Sequence, residues 1–194
     1  MPQLITRDGL KVLLAQLDRL VDAPVELLLV GGAAVLVHST EGVATKDLDA
    51  FPTESLWRLQ DALEAHSEEA PNVDLNTTSA GFETYLPQAW EERIQLSDEF
   101  STQRIRVFTP SPEDLAVMKL FRYVAKDAED IARLASGASF DPAAFRSRFL
   151  STLPVAIGQP RVHAQSFALV WNALYPSEPA TIESVLELAG IHQE

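Results

Sequence analysis

Leu10, Leu13, Leu14, Leu17, Leu20 and Val21 recur at helical spacing, with Arg7, Lys11, Asp18 and Arg19 between them, and so predict a helix over residues 7–22. Pro24 ends that element. Residues 25–30 are apolar apart from Glu26 and read as a central strand. Two glycines carry this strand into a helix over 32–39 made mostly of Ala and Val. Thr45-Lys46-Asp47-Leu48-Asp49-Ala50-Phe51 reads as a short strand carrying two carboxylates, which Pro52 stops. Thr53 then caps a helix over 54–66 whose apolar face is Leu56, Leu59, Ala62 and Leu63. Asn72 to Asn76 reads as a third strand. Residues 93–96 and 104–108 alternate and suit a hairpin with Ser97 to Gln103 as its loop.

Ser111-Pro112-Glu113-Asp114 has the form of a helix start: Ser as N-cap, Pro at the first position, acids in the first turn. In the helix that follows, Val117, Leu120, Phe121 and Val124 form a core stripe. At 100° per residue, Lys119, Arg122 and Lys126 fall on the opposite side, an arrangement that predicts one outward basic stripe. A second helix runs from about Asp127 to Leu134 and ends at Gly137. Helices are expected at 141–152, 161–174 and 181–189. The pattern predicts an α/β (α+β) chain: a mixed sheet of about four or five strands flanked by helices in residues 1–137, and a helical region over 138–194.

An apolar share of 46 % leaves material for a sizeable core. The absence of cysteine removes disulfides and thiolate metal sites. No apolar run reaches about 18 residues and the first residues lack the form of a signal peptide, so a cytoplasmic protein with no membrane partner is expected. The net charge of −13 argues against a broad nucleic-acid-binding surface. The bases are uneven, however: residues 142–177 contain no Asp or Glu, and Arg146, Arg148 and Arg161 fall there.

In a strand, residues i and i+2 share a face, so Asp47 and Asp49 project together about 7 Å apart. Two adjacent carboxylates repel unless a cation lies between them or one takes a proton. Their oxygen donors suit Mg²⁺, which takes one or two protein carboxylates together with phosphates and water. The Gly31-Gly32 turn lets backbone approach a ligand, and the N–H groups opening the next helix favour anions. The plainer alternatives are an edge strand with two solvated acids and a tight strand–helix turn.

Strand, Gly31-Gly32, helix and Thr45-Lys46-Asp47-Leu48-Asp49, followed by Pro112-Glu113-Asp114-Leu115, Lys119-Leu120 and Lys126-Asp127-Ala128-Glu129-Asp130-Ile131, resemble the nucleotidyltransferase fold. The ordered set is similar to small bacterial nucleotidyltransferases of the AbiEii and DUF6036 type, over roughly residues 25–135. The resemblance implies a transferase that moves a nucleoside monophosphate from an NTP to a hydroxyl of tRNA or of a protein acceptor. It also implies Mg²⁺ on Asp47 and Asp49, and a partner in the form of a cognate toxin or antitoxin. Gly31, Gly32, Thr45, Arg122, Lys126, Asp127 and Asp130 would line the nucleotide site. Lys119 would contact the triphosphate and share a cleft with Asp47 and Asp49. Asp74 would be a third carboxylate acting as general base, or else a turn residue after Pro71, with Asn76 as the less acidic alternative. Asp127 and Asp130 equally suit a helix N-terminus.

The chain has Gly32-Ala33 where some relatives place Gly-Ser, so it lacks a hydroxyl used on phosphate. That departure supports the alternative of a catalytically inactive nucleotide-binding or protein-interaction module. A third reading is an RNA-modifying protein that uses Arg146, Arg148 and Arg161. His38, His66, His163 and His192 have no metal-ligand spacing. Ser39 and Ser111 lack the partners of a hydrolytic nucleophile. Trp57, Trp90 and Trp171 read as core or interface residues.

Overall fold

The computed structural model describes residues 4–39, 44–76, 85–124 and 126–191, with Asp74 and Asn76 described by their backbone alone. His192 lies outside the described residues. The fold is α+β and comprises two compact units, one of Met1–Ser79 with Glu91–Ser111 and the other of Ala80–Trp90 with Pro112–Glu194. The sequence boundary at 137 falls inside the second unit, whose helices on either side of it pack together. Among the described residues, no helix is long and apolar enough to cross a membrane.

In the first unit β1 (Ile5–Thr6) leads into α1 (Arg7–Leu20). Thr6 caps α1, its hydroxyl accepting the Gly9 N–H, and Leu10, Leu13, Leu14 and Leu17 form the buried face that the periodicity predicts. β2 (Val25–Leu28) follows, with Val25 and Leu27 buried and Glu26 exposed, then α2 (Gly31–His38). β3 (Ala44–Thr45) pairs antiparallel with β1, and β4 (Asp47–Asp49) follows it. α3 (Glu54–Ala65) starts at the expected cap, where Thr53 Oγ1 accepts the Leu56 N–H. β5 (Asp74–Asn76) runs parallel to β4.

The expected hairpin is present as β6 (Gln95–Leu96) and β7 (Ile105–Thr109), paired antiparallel. β7 also runs parallel to β2, which gives the order β2-β7-β6. On the other side of β2, an antiparallel bridge between Leu29 and Ala50 attaches β4 and β5. β2 is therefore central, as its apolar composition implies. Its one exposed acid, Glu26, bonds across the register to Arg106 at 2.9 Å.

Arg7 and Asp18 are among the side chains that tie α1 into this unit. Arg7 Nη1 donates to the carbonyls of Leu36, Val37 and Ser39 at 2.7–2.9 Å, satisfying the C-terminal end of α2. Asp18 accepts the Arg104 N–H at 2.6 Å and the Thr102 hydroxyl. Burial pushes the Asp18 carboxyl up, but these bonds and the Arg104 charge hold it below the ordinary aspartate range.

The second unit is helical: α4 (Pro112–Arg122), α5 (Asp127–Ala135), α6 (Pro142–Thr152), α7 (Pro160–Leu174) and α8 (Ile182–Leu188). α4 packs against α5, α6 and α7, and every residue from Pro112 to Phe121 is buried. Phe121, Phe149, Phe167, Phe145 and Trp171 stack in sequence, with successive ring centroids 4.4–6.4 Å apart. The expected stripes are only partly realised. Val117, Leu120 and Phe121 are buried, but Val124 is half exposed because α4 stops at Arg122. Tyr123, at φ +33°, turns the chain there.

Phe149 carries the stack between α4 and α7, with its ring 5.1 Å from Phe121 and 4.4 Å from Phe167. Phe149→Ala is expected to cost about 3–5 kcal/mol through the cavity it leaves. Urea unfolding checks this, and a midpoint close to that of the parent would show that the stack does not hold the helices.

Candidate active site

The strand–turn–helix at the centre of the first unit places the acidic pair. Leu48 is fully buried, so the alternation of β4 puts Asp47 and Asp49 together on its opposite face, both half-buried. Thr45, almost fully buried, donates its hydroxyl to Asp47 Oδ1 at 3.0 Å and fixes that carboxylate.

Asp49 is fixed differently. Its carbonyl accepts the Val30 N–H at 3.0 Å, and the Phe51 N–H donates to Leu28 at 2.8 Å, so β4 is pinned to the end of β2 where α2 begins. Gly31, the first residue of α2, has φ +59°, a conformation that glycine adopts without steric cost. A Cβ at Gly31 would lie 2.1 Å from Asp49 Oδ2 and 3.0 Å from its Cγ. The missing side chain is therefore the space that the Asp49 carboxylate occupies. Gly32 follows in the first turn of α2.

β5 lies beside β4 with Asp74 opposite Asp47 and Asn76 opposite Asp49. The backbone thus brings Asp74 to the strand next to the acidic pair. Among the described residues, no three His, Asp or Glu side chains gather into a metal cluster. The donors at hand are the two β4 carboxylates, hard oxygen ligands on one strand face, and this is the donor type that Mg²⁺ takes from a protein when phosphates and water complete its shell. The acidic pair fits such an ion.

The other expected site residues belong to the second unit, where Lys119, Arg122, Asp127 and Asp130 cluster. α4 does not carry the expected single outward basic stripe, because it has no solvent face along most of its length. Lys119 is 1 % exposed and donates to Asp130 Oδ2 at 2.8 Å and to Asp127 Oδ1 at 3.3 Å. Arg122, partly exposed at the end of α4, donates to both oxygens of Asp127 at 2.6 and 3.2 Å. Lys126 is exposed and lies beyond the helix end. The Val124 N–H completes the Asp127 shell at 2.8 Å. Burial pushes the Asp127 carboxyl up, yet Arg122, the Val124 N–H and Lys119 together hold it below the ordinary aspartate range.

A second buried acidic site was not legible in the sequence. Arg148 on α6 bridges Glu113 and Asp114 in the first turn of α4, at 3.2 Å to each. Arg161 pairs with Glu183 at 3.0 Å, and Arg146 lies over the Trp171 ring. Two of the three arginines of the acid-free stretch are thus bonded to carboxylates from outside it. The histidines with described partners bond to the chain itself: His38 to Thr109 and the Pro110 carbonyl, His163 to the Ile157 carbonyl. Trp90 and Trp171 are buried, whereas Trp57 is half exposed.

Lys119→Ala would leave Asp127 and Asp130 buried without their shared cation, so a loss of about 3–5 kcal/mol is expected. The depressed Asp127 pKa contributes stability that is complete above the ordinary value of 3.8 and is lost as pH falls through the lower folded value. Urea midpoints across an acid pH series should therefore fall more steeply in the parent than in Asp127→Asn. Parallel slopes, or a Lys119→Ala protein as stable as the parent, would contradict this account.

No curated protein matches the chain, and neither does any solved structure. A family match does exist, and it spans Gly31-Gly32, Thr45 to Asp49 and the Lys119–Asp130 cluster alike. Over residues 9–171 the chain belongs to the family described as nucleotidyltransferase of unknown function, DUF6036.

Proposed function

We propose that this nucleotidyltransferase-family chain transfers a nucleoside monophosphate from a metal-bound NTP to a hydroxyl of RNA or protein. The observation that carries the proposal is the Asp49 carboxylate lodged against Gly31 at the opening of α2, with Asp47 on the same face of β4. One small volume then offers both an anion-favouring helix start and a pair of hard oxygen donors.

Asp47 and Asp49 would hold Mg²⁺. When bound, the ion supplies neutralisation of phosphate charge as the bond to the leaving group breaks. Thr45 keeps the Asp47 carboxylate from rotating away, through the hydroxyl bond at 3.0 Å. Gly31 and Gly32 bring backbone close to the phosphates, and the first N–H groups of α2 orient them. Asp74, on the strand paired with β4, would take the proton of the acceptor hydroxyl. The hydroxyl oxygen attacks the α-phosphorus, the α–β bridging bond breaks, and pyrophosphate leaves with the electron pair.

The test is incubation with each labelled NTP, Mg²⁺ and total cellular RNA or protein. Label should pass to one acceptor class, and Asp47→Asn and Asp49→Asn should each lower transfer by about 100-fold or more while remaining folded. Transfer unaffected by both substitutions would sink the proposal. NTP binding without transfer to any acceptor would instead identify a binding module of the same fold, in line with the absence of a hydroxyl at buried Ala33.

A further inference from the structure

The second unit carries an open cleft of about 850 Å³ that the proposed nucleotidyl transfer does not use. α6 and the turn after it supply Leu150 and Pro154 to its lining, α8 supplies Leu188, and α7 supplies Trp171. Arg146 and Leu150, four residues apart on α6, share the helix face that meets the cleft. Sites for small organic ligands have this character: a concave and largely apolar surface, with a few polar groups that fix orientation.

Arg146 is such a group. Its guanidinium carbon lies 5.5 Å from the centroid of the Trp171 ring. Trp171 is itself held firmly: it is buried, stacks on Phe167 at 5.4 Å, and donates its indole N–H to the Glu178 carbonyl at 2.7 Å. Arg148 and Arg161, the other arginines discussed for the acid-free stretch, are bonded to carboxylates. Arg146 has neither a hydrogen bond nor an ion pair with any described residue. A guanidinium stacked on an aromatic face keeps its N–H edge available, and that planar fork matches the two oxygens of a carboxylate.

The charges around the cleft decide which anion fits. Asp141 and Glu178 also belong to the lining, so one cation is set against two acids. Asp141 Oδ1 accepts the Ala143 N–H as the N-cap of α6, and neither acid pairs with Arg146. A dianionic phosphate, or the successive phosphates of a nucleic acid, would meet both acids with one guanidinium to offset them. A monocarboxylate brings one charge to one fork. Its apolar body would cover Leu150, Pro154 and Leu188, the last of which is 56 % exposed.

We propose that this cleft binds a small apolar monocarboxylic acid, with the carboxylate on the Arg146 guanidinium and the hydrocarbon or aromatic body against Leu150, Pro154 and Leu188. The site is independent of the chemistry proposed for the first unit.

The experiment titrates the full chain with indole-3-acetate, phenylacetate and octanoate, each beside its primary amide, and with tryptamine and inorganic phosphate. The readout is the assigned Trp171 indole N–H resonance in NMR spectra. At least one of the three acids should shift it saturably with a Kd of about 1 mM or tighter, and should bind at least about tenfold more tightly than its amide. Arg146→Gln should remove that preference. Leu188→Glu, a change at an exposed position, should weaken the acid about tenfold and its amide little, because it sets a like charge in the same cleft. Melting curves establish that both variants are folded, and if Arg146→Gln is not, Leu188→Glu decides the matter alone. The proposal is overturned by no saturable shift with any of the three acids, by amides bound as tightly as their acids, by a preference that survives in a folded Arg146→Gln or is unchanged in Leu188→Glu, or by tighter binding of phosphate or tryptamine at Trp171.

Discussion

The carboxylate of Asp49 resting against the α-carbon of Gly31 is the constraint on which the first unit's candidate site depends. It requires glycine at that residue twice over: once because φ is +59°, and once because a methyl group would overlap the carboxylate. It also requires β4 to end where α2 begins. The Leu29–Ala50 bridge and the Val30–Asp49 bond secure this by attaching β4 antiparallel to the central strand. The rest of the unit serves that junction. Arg7 satisfies the far end of α2, and Asp18 fastens α1 to the turn before β7, which pairs with β2 along its length.

The second unit is organised by buried charge. α4 is covered by α5, α6 and α7, so its Lys119, Glu113 and Asp114 have no route to water and must find partners inside. Lys119 finds Asp127 and Asp130, while the two acids find Arg148. Such groups are costly to bury and add little net stability against an apolar substitute, but breaking one side of a pair is severe. Their physical effect is on register. Each bond fixes α5 or α6 along α4 to within the reach of one side chain, which aromatic stacking alone does not do.

The sequence by itself determined much of the local structure. Helical leucine spacing, the Thr53 cap, Pro112 at a helix start and the alternation around Arg104–Phe108 each reflect short-range physics, and the corresponding elements are present. It also determined that Asp47 and Asp49 share a face, because strand alternation needs only residues two apart. Tertiary structure decided where those faces point. A period of 100° per residue separates Lys119 from Leu120 and Val117, but it cannot tell a helix with one wet side from one enclosed on all sides. Packing by three helices enclosed α4, and a turn at Tyr123 ended it before Val124 could join the core. The same holds at the acidic pair. Gly31 and Asp49 are eighteen positions apart, and only the antiparallel bridge between β2 and β4 puts the carboxylate into the space that the glycine leaves.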